Sequence, residues 1–257
     1  MKQDTALFFD IDGTIRNPKT GKISQAVFDE ISIWQEAGYP CCISTGRCLE
    51  NAMIQGIEVH HWDGMIATNG QQVQGPDGKM IVDGYMTDEQ VELAISTAKK
   101  LGQSLYLIAG NEWIRVGEVN EDVLIGQALF GGTLPDEKPY KGKKIIYFIA
   151  FAKDVNDYKA YEEAGFKTAP TFYHYADVVL PGYDKATGIK TYLKHEGLHK
   201  FYAFGDSTND LEMIQQADLS VVMENGDPSM FQYADIIAPS VEEDGIVKVL
   251  QDLRAKW

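Results

Sequence analysis

The sequence predicts an α/β protein in which a parallel sheet, covered by helices on both faces, is interrupted by a separate α+β unit. Three observations carry that prediction. Apolar runs of strand length alternate with helix-like segments at the start of the chain, short and closely spaced strands fill the middle, and the first pattern returns after Lys185. Near-continuous apolar strands separated by helices belong to sheets buried on both faces. Runs of strands with helices to one side form a layered α+β unit. The predicted boundaries are 1–82 plus 185–257 for the interrupted part and 83–184 for the insertion.

ALFFD at 6–10 reads as a strand that stops abruptly at Asp10, and 24–38 reads as a helix with Ser24 as its N-cap and Gly38 as its stop. YPCCIST at 39–45 and GMIAT at 64–68 are further strands, so Asp10, Thr45 and Asn69 each stand where a strand should end. Ligands of such sheets bind beyond the carboxyl ends of the strands. From about 65 to 85, short strands are joined by the Pro-Asp-Gly turn chemistry of 76–78. The insertion continues with a helix at 87–102, whose Thr87 and Gln90 have capping-box spacing. A hairpin at 104–118, a helix at 120–132, a strand at 143–152, a helix at 155–165 and strands within 171–182 follow. The first pattern then resumes with a helix at 188–197, a strand at 200–206, a helix at 209–217, a strand at 219–223 and a last helix through 246–250.

Composition narrows the function. Hydrophobic residues at 44% and charged residues at 24% are ordinary for a folded domain. A formal charge of −15 argues against nucleic acid or an anionic membrane as partner, because those surfaces are bound through basic patches that release counterions. A small anionic substrate stays compatible, since attraction there is set by local cations and metal. Cys41, Cys42 and Cys48 cannot form an even disulfide framework, and Cys41 and Cys42, in the apolar run before Thr45, read as small buried hydrophobes. The first residues lack the basic start and apolar stretch of a signal peptide. No run approaches the roughly 20 apolar residues of a membrane span. A cytoplasmic location is the expectation.

Four carboxylates and one lysine carry the chemistry: Asp10 and Asp12 in FFDIDGT, Lys185 in GYDKATG, Asp206 and Asp210 in FGDSTND. Clustered buried acids are costly unless compensated. A hard divalent cation removes that cost, and oxygen ligands of this kind suit Mg2+. The set is therefore a candidate phosphoryl-transfer site. Between the first and the later motifs lies Ser44-Thr45-Gly46-Arg47, an apolar run ending in a hydroxyl, a glycine and a cation.

In order, DIDGT, STGR, the lysine of DKATG and GDSTND resemble the four motifs of the haloacid dehalogenase-like (HAD) superfamily, and ADLSVVMENG with the later EEDGI resembles its Cof-type subgroup, subfamily IIB. The resemblance covers the whole chain. It implies a Rossmann-like parallel-sheet core with an inserted α+β cap, and it implies residue roles. Asp10 would be the nucleophile that forms an aspartyl-phosphate, and Asp12 the acid and base that serves the leaving group and then water. Thr45 would donate to a phosphoryl oxygen beside Gly46, and Arg47 would hold the phosphate or lie solvated at a helix start. Lys185 would neutralise transition-state charge. Asp10, Asp206 and the carbonyl of Asp12 would ligate magnesium, with Asp210 a further candidate through water. Asn69 and Asn209 would border the phosphate. Ser207 replaces the glycine usual after the first aspartate of the last motif, with only a local backbone effect expected.

The function implied is a magnesium-dependent phosphatase of small phosphorylated metabolites, sugar phosphates or similar phosphomonoesters, with the cap closing over the substrate. The second aspartate of DIDGT favours phosphoester chemistry, because dehalogenases and P-type ATPases lack it. A phosphomutase or phosphotransferase is the rival within the superfamily. A non-enzymatic phosphoryl-accepting module is disfavoured by chain length and by Asp12. His60 and His61 do not read as a metal pair, because neighbours in extended structure point to opposite faces. Tyr106, Trp113, Phe172, Tyr173 and Tyr175 read as packing rather than substrate contacts, and Glu224 to Gly226 receive no role.

Overall fold

The structure, a computed structural model, describes residues 3–52, 56–130, 132–171 and 173–256. The chain divides into two compact units, Met1–Asp83 with Tyr183–Trp257, and Gly84–Gly182.

An eight-stranded sheet forms the first unit. In spatial order its strands are Ile236–Ala238, Leu219–Met223, Lys200–Gly205, Thr5–Phe9, Cys41–Ser44, Gly64–Ala67, Gln72–Gln74 and Met80–Asp83. The first six run parallel, Gln72–Gln74 runs antiparallel to them, and Met80–Asp83 pairs antiparallel with Gln72–Gln74. Period-two alternation sends successive side chains of Thr5–Phe9 into two apolar layers. Leu7 and Phe9 join Ile31 and Trp34 of helix Gln25–Glu36 and Leu250 of helix Gly245–Arg254. Ala6 and Phe8 join Ile189 and Tyr192 of helix Lys185–Glu196. Phe9 stacks on Phe204 at 4.5 Å and Phe8 meets Tyr192 edge-on at 5.6 Å. Each such buried side chain contributes about 1.5–3 kcal/mol. Ser24 caps the first helix as its sequence predicts, accepting from the Ala26 amide. Glu30, buried on that helix, is held by both ends of the Arg254 guanidinium at 2.9 and 3.2 Å.

An antiparallel sheet forms the second unit, in the order Lys167–Pro170, Tyr175–Val179, Tyr147–Phe151, Leu105–Ala109 and Glu112–Val116. Helix Asp88–Leu101 begins with the capping box read from Thr87 and Gln90. On one face Phe148 meets Tyr161 and Phe166. On the other, Tyr106 and Tyr175 pack against Phe130 of helix Glu121–Phe130. Helices therefore do not all lie to one side, because Gly126 lets this helix approach Phe151 and Tyr175 closely. The predicted helix at 155–165 is a tight turn, Val155–Tyr158, followed by the short helix Lys159–Glu163. Lys167–Pro170 was not apparent as a strand, since its lysine and proline suit only an edge. The hairpin Arg16–Asn17 with Lys22–Ile23 is likewise too short to announce itself. Among the described residues, no helix is long and apolar enough to cross a membrane.

Candidate active site

Four parallel strands of the first unit end at one edge, and Asp10, Thr45, Thr68 and Asp206 follow Phe9, Ser44, Ala67 and Gly205 there. Alternation carries Asp10 onto the face of Phe8, against helix Lys185–Glu196. Lys185, the first residue of that helix, has no exposed surface, and its Nζ lies 2.6 Å from Asp10 Oδ1 and 2.5 Å from Asp210 Oδ1. The helix start is seated against Gly70, which has φ 91° and where a Cβ would stand 2.1 Å from the Asp184 carbonyl. Asp184 caps the helix through the Thr187 amide at 2.7 Å.

Asp210 is also wholly buried, and its Oδ2 accepts from the amides of Asp206 and Ser207 at 2.9 and 3.1 Å. Both of its oxygens are thus engaged. Asp206 receives the Thr14 hydroxyl at 3.5 Å. Gly13 turns with φ 90° directly over Asp206, and a Cβ there would fall 2.3 Å from its Oδ2. Asn225, in the segment that received no role from sequence, donates to the Gly13 carbonyl at 2.8 Å and accepts from the Val241 amide at 2.8 Å. It fixes the turn that Gly13 makes.

Asp10, Asp206 and Asp210 present oxygens within 4.8 Å of one another. Burial pushes Asp10 up to about 8; Lys185 opposes the shift, while Asp210 and Asp206 add to it. Burial, with Asp210, pushes Asp206 up to about 7. Burial alone would lower the Lys185 ammonium, but Asp10 and Asp210 overcome that and hold it above its ordinary value. Three crowded carboxylates with one ammonium remain net negative. This all-oxygen donor set fits a hard divalent cation.

The side chain of Asp12 stands apart from that cluster. Arg47 Nε donates to its Oδ2 at 2.6 Å and an Arg16 Nη to its Oδ1 at 2.7 Å. Burial would raise Asp12, but Arg47 and then Arg16 outweigh it and hold the carboxyl below its usual range. Arg16 was not singled out from sequence. It reaches Asp12 because the chain turns at Gly13 and enters the small hairpin, where Arg16 Nε also donates to the Gly21 carbonyl at 3.1 Å. Arg47 is thus half-buried and paired with Asp12.

Thr45 is buried; its amide donates to Ile66 and its Oγ1 accepts from the Arg47 amide at 3.2 Å, which leaves the hydroxyl proton to donate elsewhere. Beside Gly46, Asn209 Nδ2 donates to Asn69 Oδ1 at 3.3 Å. Ser207 has more than a backbone effect, since its hydroxyl donates to Asn209 Oδ1 at 2.6 Å and orients that amide. Thr68 and Asn69 both have φ 49°, a conformation that strains a β-branched residue. The strain turns Asn69 back toward the Thr45 carbonyl, to which its amide donates at 3.0 Å.

Other residues lie elsewhere. His60 stacks on Phe28 and bonds Gln35, away from any acid cluster. Cys41, Cys42 and Cys48 are buried thiols. Tyr106, Trp113 and Tyr175 pack as read from sequence, Tyr173 is exposed, and Phe172 lies outside the described residues.

Residues 7–250 match the haloacid dehalogenase-like hydrolase family. The Bacillus subtilis (strain 168) protein YkrA, which carries a provisional phosphatase name, is 27% identical over 254 residues, 96% of each chain. The solved structure of BT1666 from Bacteroides thetaiotaomicron, described among the HAD phosphatases, superposes with a TM-score of 0.88 at 22% identity over 96% of this chain and 94% of that one. A second structure, of the HAD subclass IIB sugar phosphatase BT4131, gives 0.78 at 23% identity over 97% and 98%. The chain belongs to the haloacid dehalogenase-like hydrolase family, in its phosphatase branch.

Proposed function

We propose that the protein is a magnesium-dependent phosphatase of small phosphorylated metabolites, sugar phosphates or similar phosphomonoesters, acting through an aspartyl-phosphate. The observation that carries this reading is the buried Lys185 ammonium shared by Asp10 and Asp210, with Asp206 in the same cluster. Asp10 Oδ attacks phosphorus while the ester P–O bond breaks. Asp12 gives its proton to the departing oxygen. Water then attacks the phosphorus of the aspartyl-phosphate, Asp12 takes the proton, inorganic phosphate leaves and Asp10 is regenerated. Lys185 holds Asp10 and offsets charge on the phosphoryl oxygens. Asp210 acts by fixing Lys185 and the amides of Asp206 and Ser207. The paired arginines favour the base form of Asp12 and suit the second half of the cycle; for the first half, Arg47 turns from Asp12 to the substrate phosphate. Thr45, Gly46, Asn69 and Asn209 border the phosphoryl group. Asp10, Asp206 and the Asp12 carbonyl would hold magnesium, which when bound would supply further charge neutralisation. The segment Gly84–Gly182 supplies selectivity.

Chelation is expected to abolish phosphomonoester hydrolysis and added magnesium to restore it. Full activity in metal-free protein would overturn the metal assignment. Turnover in 18O-labelled water is expected to place one label in each phosphate released, and transfer to a second substrate instead would make the enzyme a phosphotransferase.

A further inference from the structure

Two guanidinium groups share the one carboxylate of Asp12, and they are held very differently. Arg16 closes a tight loop in which the Gly13 amide donates to the Arg16 carbonyl at 2.9 Å and the Arg16 amide to the Ile11 carbonyl at 2.8 Å. From that base its Nε donates across the small hairpin to the Gly21 carbonyl at 3.1 Å, and its Nη1 to Asp12 Oδ1 at 2.7 Å. A Cβ on Gly21 would stand 3.0 Å from its Nη2, so the turn also closes over the guanidinium. The side chain is 14% exposed.

Arg47 is the looser of the two. It is 29% exposed, and among the described residues its guanidinium is held by Asp12 Oδ2 at 2.6 Å and by no other acceptor. Each oxygen of Asp12 thus has its own arginine. One is fixed to the loop that carries Asp12 itself, and the other reaches over from the loop after strand Cys41–Ser44. Departure of Arg47 frees Oδ2 and leaves Oδ1 tied.

We propose that Arg16 is a positioning residue that reserves Oδ2 of Asp12 for proton transfer by keeping Oδ1 anchored throughout the cycle. The assignment rests on the phosphatase reading above. When Arg47 turns to the substrate phosphate, Oδ2 is the oxygen released. It gives its proton to the departing oxygen as the P–O bond breaks, and takes one from water as the water oxygen bonds to phosphorus. An unanchored carboxyl group rotates about a broad terminal torsion, and both of its oxygens then sample many directions. A guanidinium fixed at Nε and donating from Nη removes that freedom before the reaction begins.

The test uses the full chain with magnesium and two esters of similar size, phenyl phosphate and p-nitrophenyl phosphate. The nitrophenolate leaves unaided, whereas phenolate is the stronger base and gains more from a proton. For both, kcat/KM reports formation of the aspartyl-phosphate, before water enters. Arg16→Met keeps the stem and removes the donors. It is expected to lower kcat/KM on phenyl phosphate by about 10- to 100-fold, and on p-nitrophenyl phosphate by about threefold or less. Arg16→Lys restores a donor to Oδ1 and is expected to recover most of the loss on phenyl phosphate. Gly21→Ala crowds the guanidinium without touching Asp12, and is expected to show the same ester dependence at about three- to tenfold; it carries the test if Arg16→Met does not fold. Equal loss on both esters in protein that circular dichroism shows to be folded, or no loss on either, overturns the assignment. A structure of the wild type with magnesium and fluoroberyllate on Asp10 reads the anchor without turnover. Arg16 is expected to stay on Oδ1 there while Arg47 leaves Oδ2, and release of Oδ1 by Arg16 overturns the assignment. A wild type that hydrolyses no phosphomonoester overturns the phosphatase reading and this assignment with it, whereas an active wild type whose Arg16→Met variant loses both esters alike overturns this assignment alone.

Discussion

The two units handle charge in opposite ways. At the strand ends of the first unit, Asp10, Asp210 and Lys185 come from three separate stretches of chain and satisfy one another within 2.6 Å. In the antiparallel unit, the outer strands pair through local hairpins, ion pairs such as Lys143–Glu112 join one residue to one other, and Asp177 has no side-chain partner among the described residues. The contrast teaches how topology divides labour. Parallel crossovers gather distant residues into one over-determined cluster, so every member is constrained by several others. A hairpin sheet offers a face on which one residue can change without disturbing its neighbours' pairing.

Asp10→Asn is the sharpest way to break the comparison. It is expected to lower turnover of every substrate by roughly 10^4- to 10^6-fold, as loss of a nucleophile does, and to remove any phosphoenzyme trapped by acid quench. Near-normal turnover would show that the crowded cluster is structural. Lys185→Ala is the next largest change. It is expected to cost about 2–4 kcal/mol in kcat/KM on all substrates alike, and about 3–5 kcal/mol in stability because it leaves buried Asp10 and Asp210 without their cation. Denaturant unfolding beside steady-state kinetics measures both. Reordered substrate preferences, rather than a uniform loss, would move selectivity into the first unit.

The smallest expected effect lies in the second unit and concerns pH. The folded-state value of Asp177 is raised, to about 6, so the folded protein binds more protons than the unfolded chain between the ordinary carboxylate value and about 6. Its contribution to stability is therefore greatest at low pH and falls as pH rises through that window. Asp177→Asn removes the fall. Relative to wild type, the variant's Tm is expected to rise between pH 4 and pH 7, where each kcal/mol moves Tm by about 2–4 °C for a chain of this size. An unchanged difference across that range would mean that the carboxylate is well solvated.

Much of this arrangement could be read from the chain, for a physical reason. A buried parallel strand announces itself as an apolar run, and a polar residue that ends such a run must stand at the sheet edge. Asp10, Thr45 and Asp206 are legible on that basis. Arg16, Thr14 and Asn225 are not, since each acts through a turn whose direction depends on Gly13 and on the distant segments packed around it. The pairing of Arg47 with Asp12 is illegible too, because a cation at a strand end has several acids within reach. In the second unit, the helix Glu121–Phe130 was readable, but its face of the sheet was not. A glycine at 126 decides it by allowing close contact with Phe151 and Tyr175.

The central strand Thr5–Phe9 pairs on one side with Cys41–Ser44 and on the other with Lys200–Gly205. During synthesis, Gly84–Gly182 is complete before the second of those partners exists. The strands of that unit pair only with one another and can fold early, whereas the sheet around Asp10 must wait for Lys200–Gly205. Until then one edge of Thr5–Phe9 is unpaired and its apolar residues have only half their cover. That interval is where a nascent chain of this architecture is most open to aggregation, and where a holdase would protect it most.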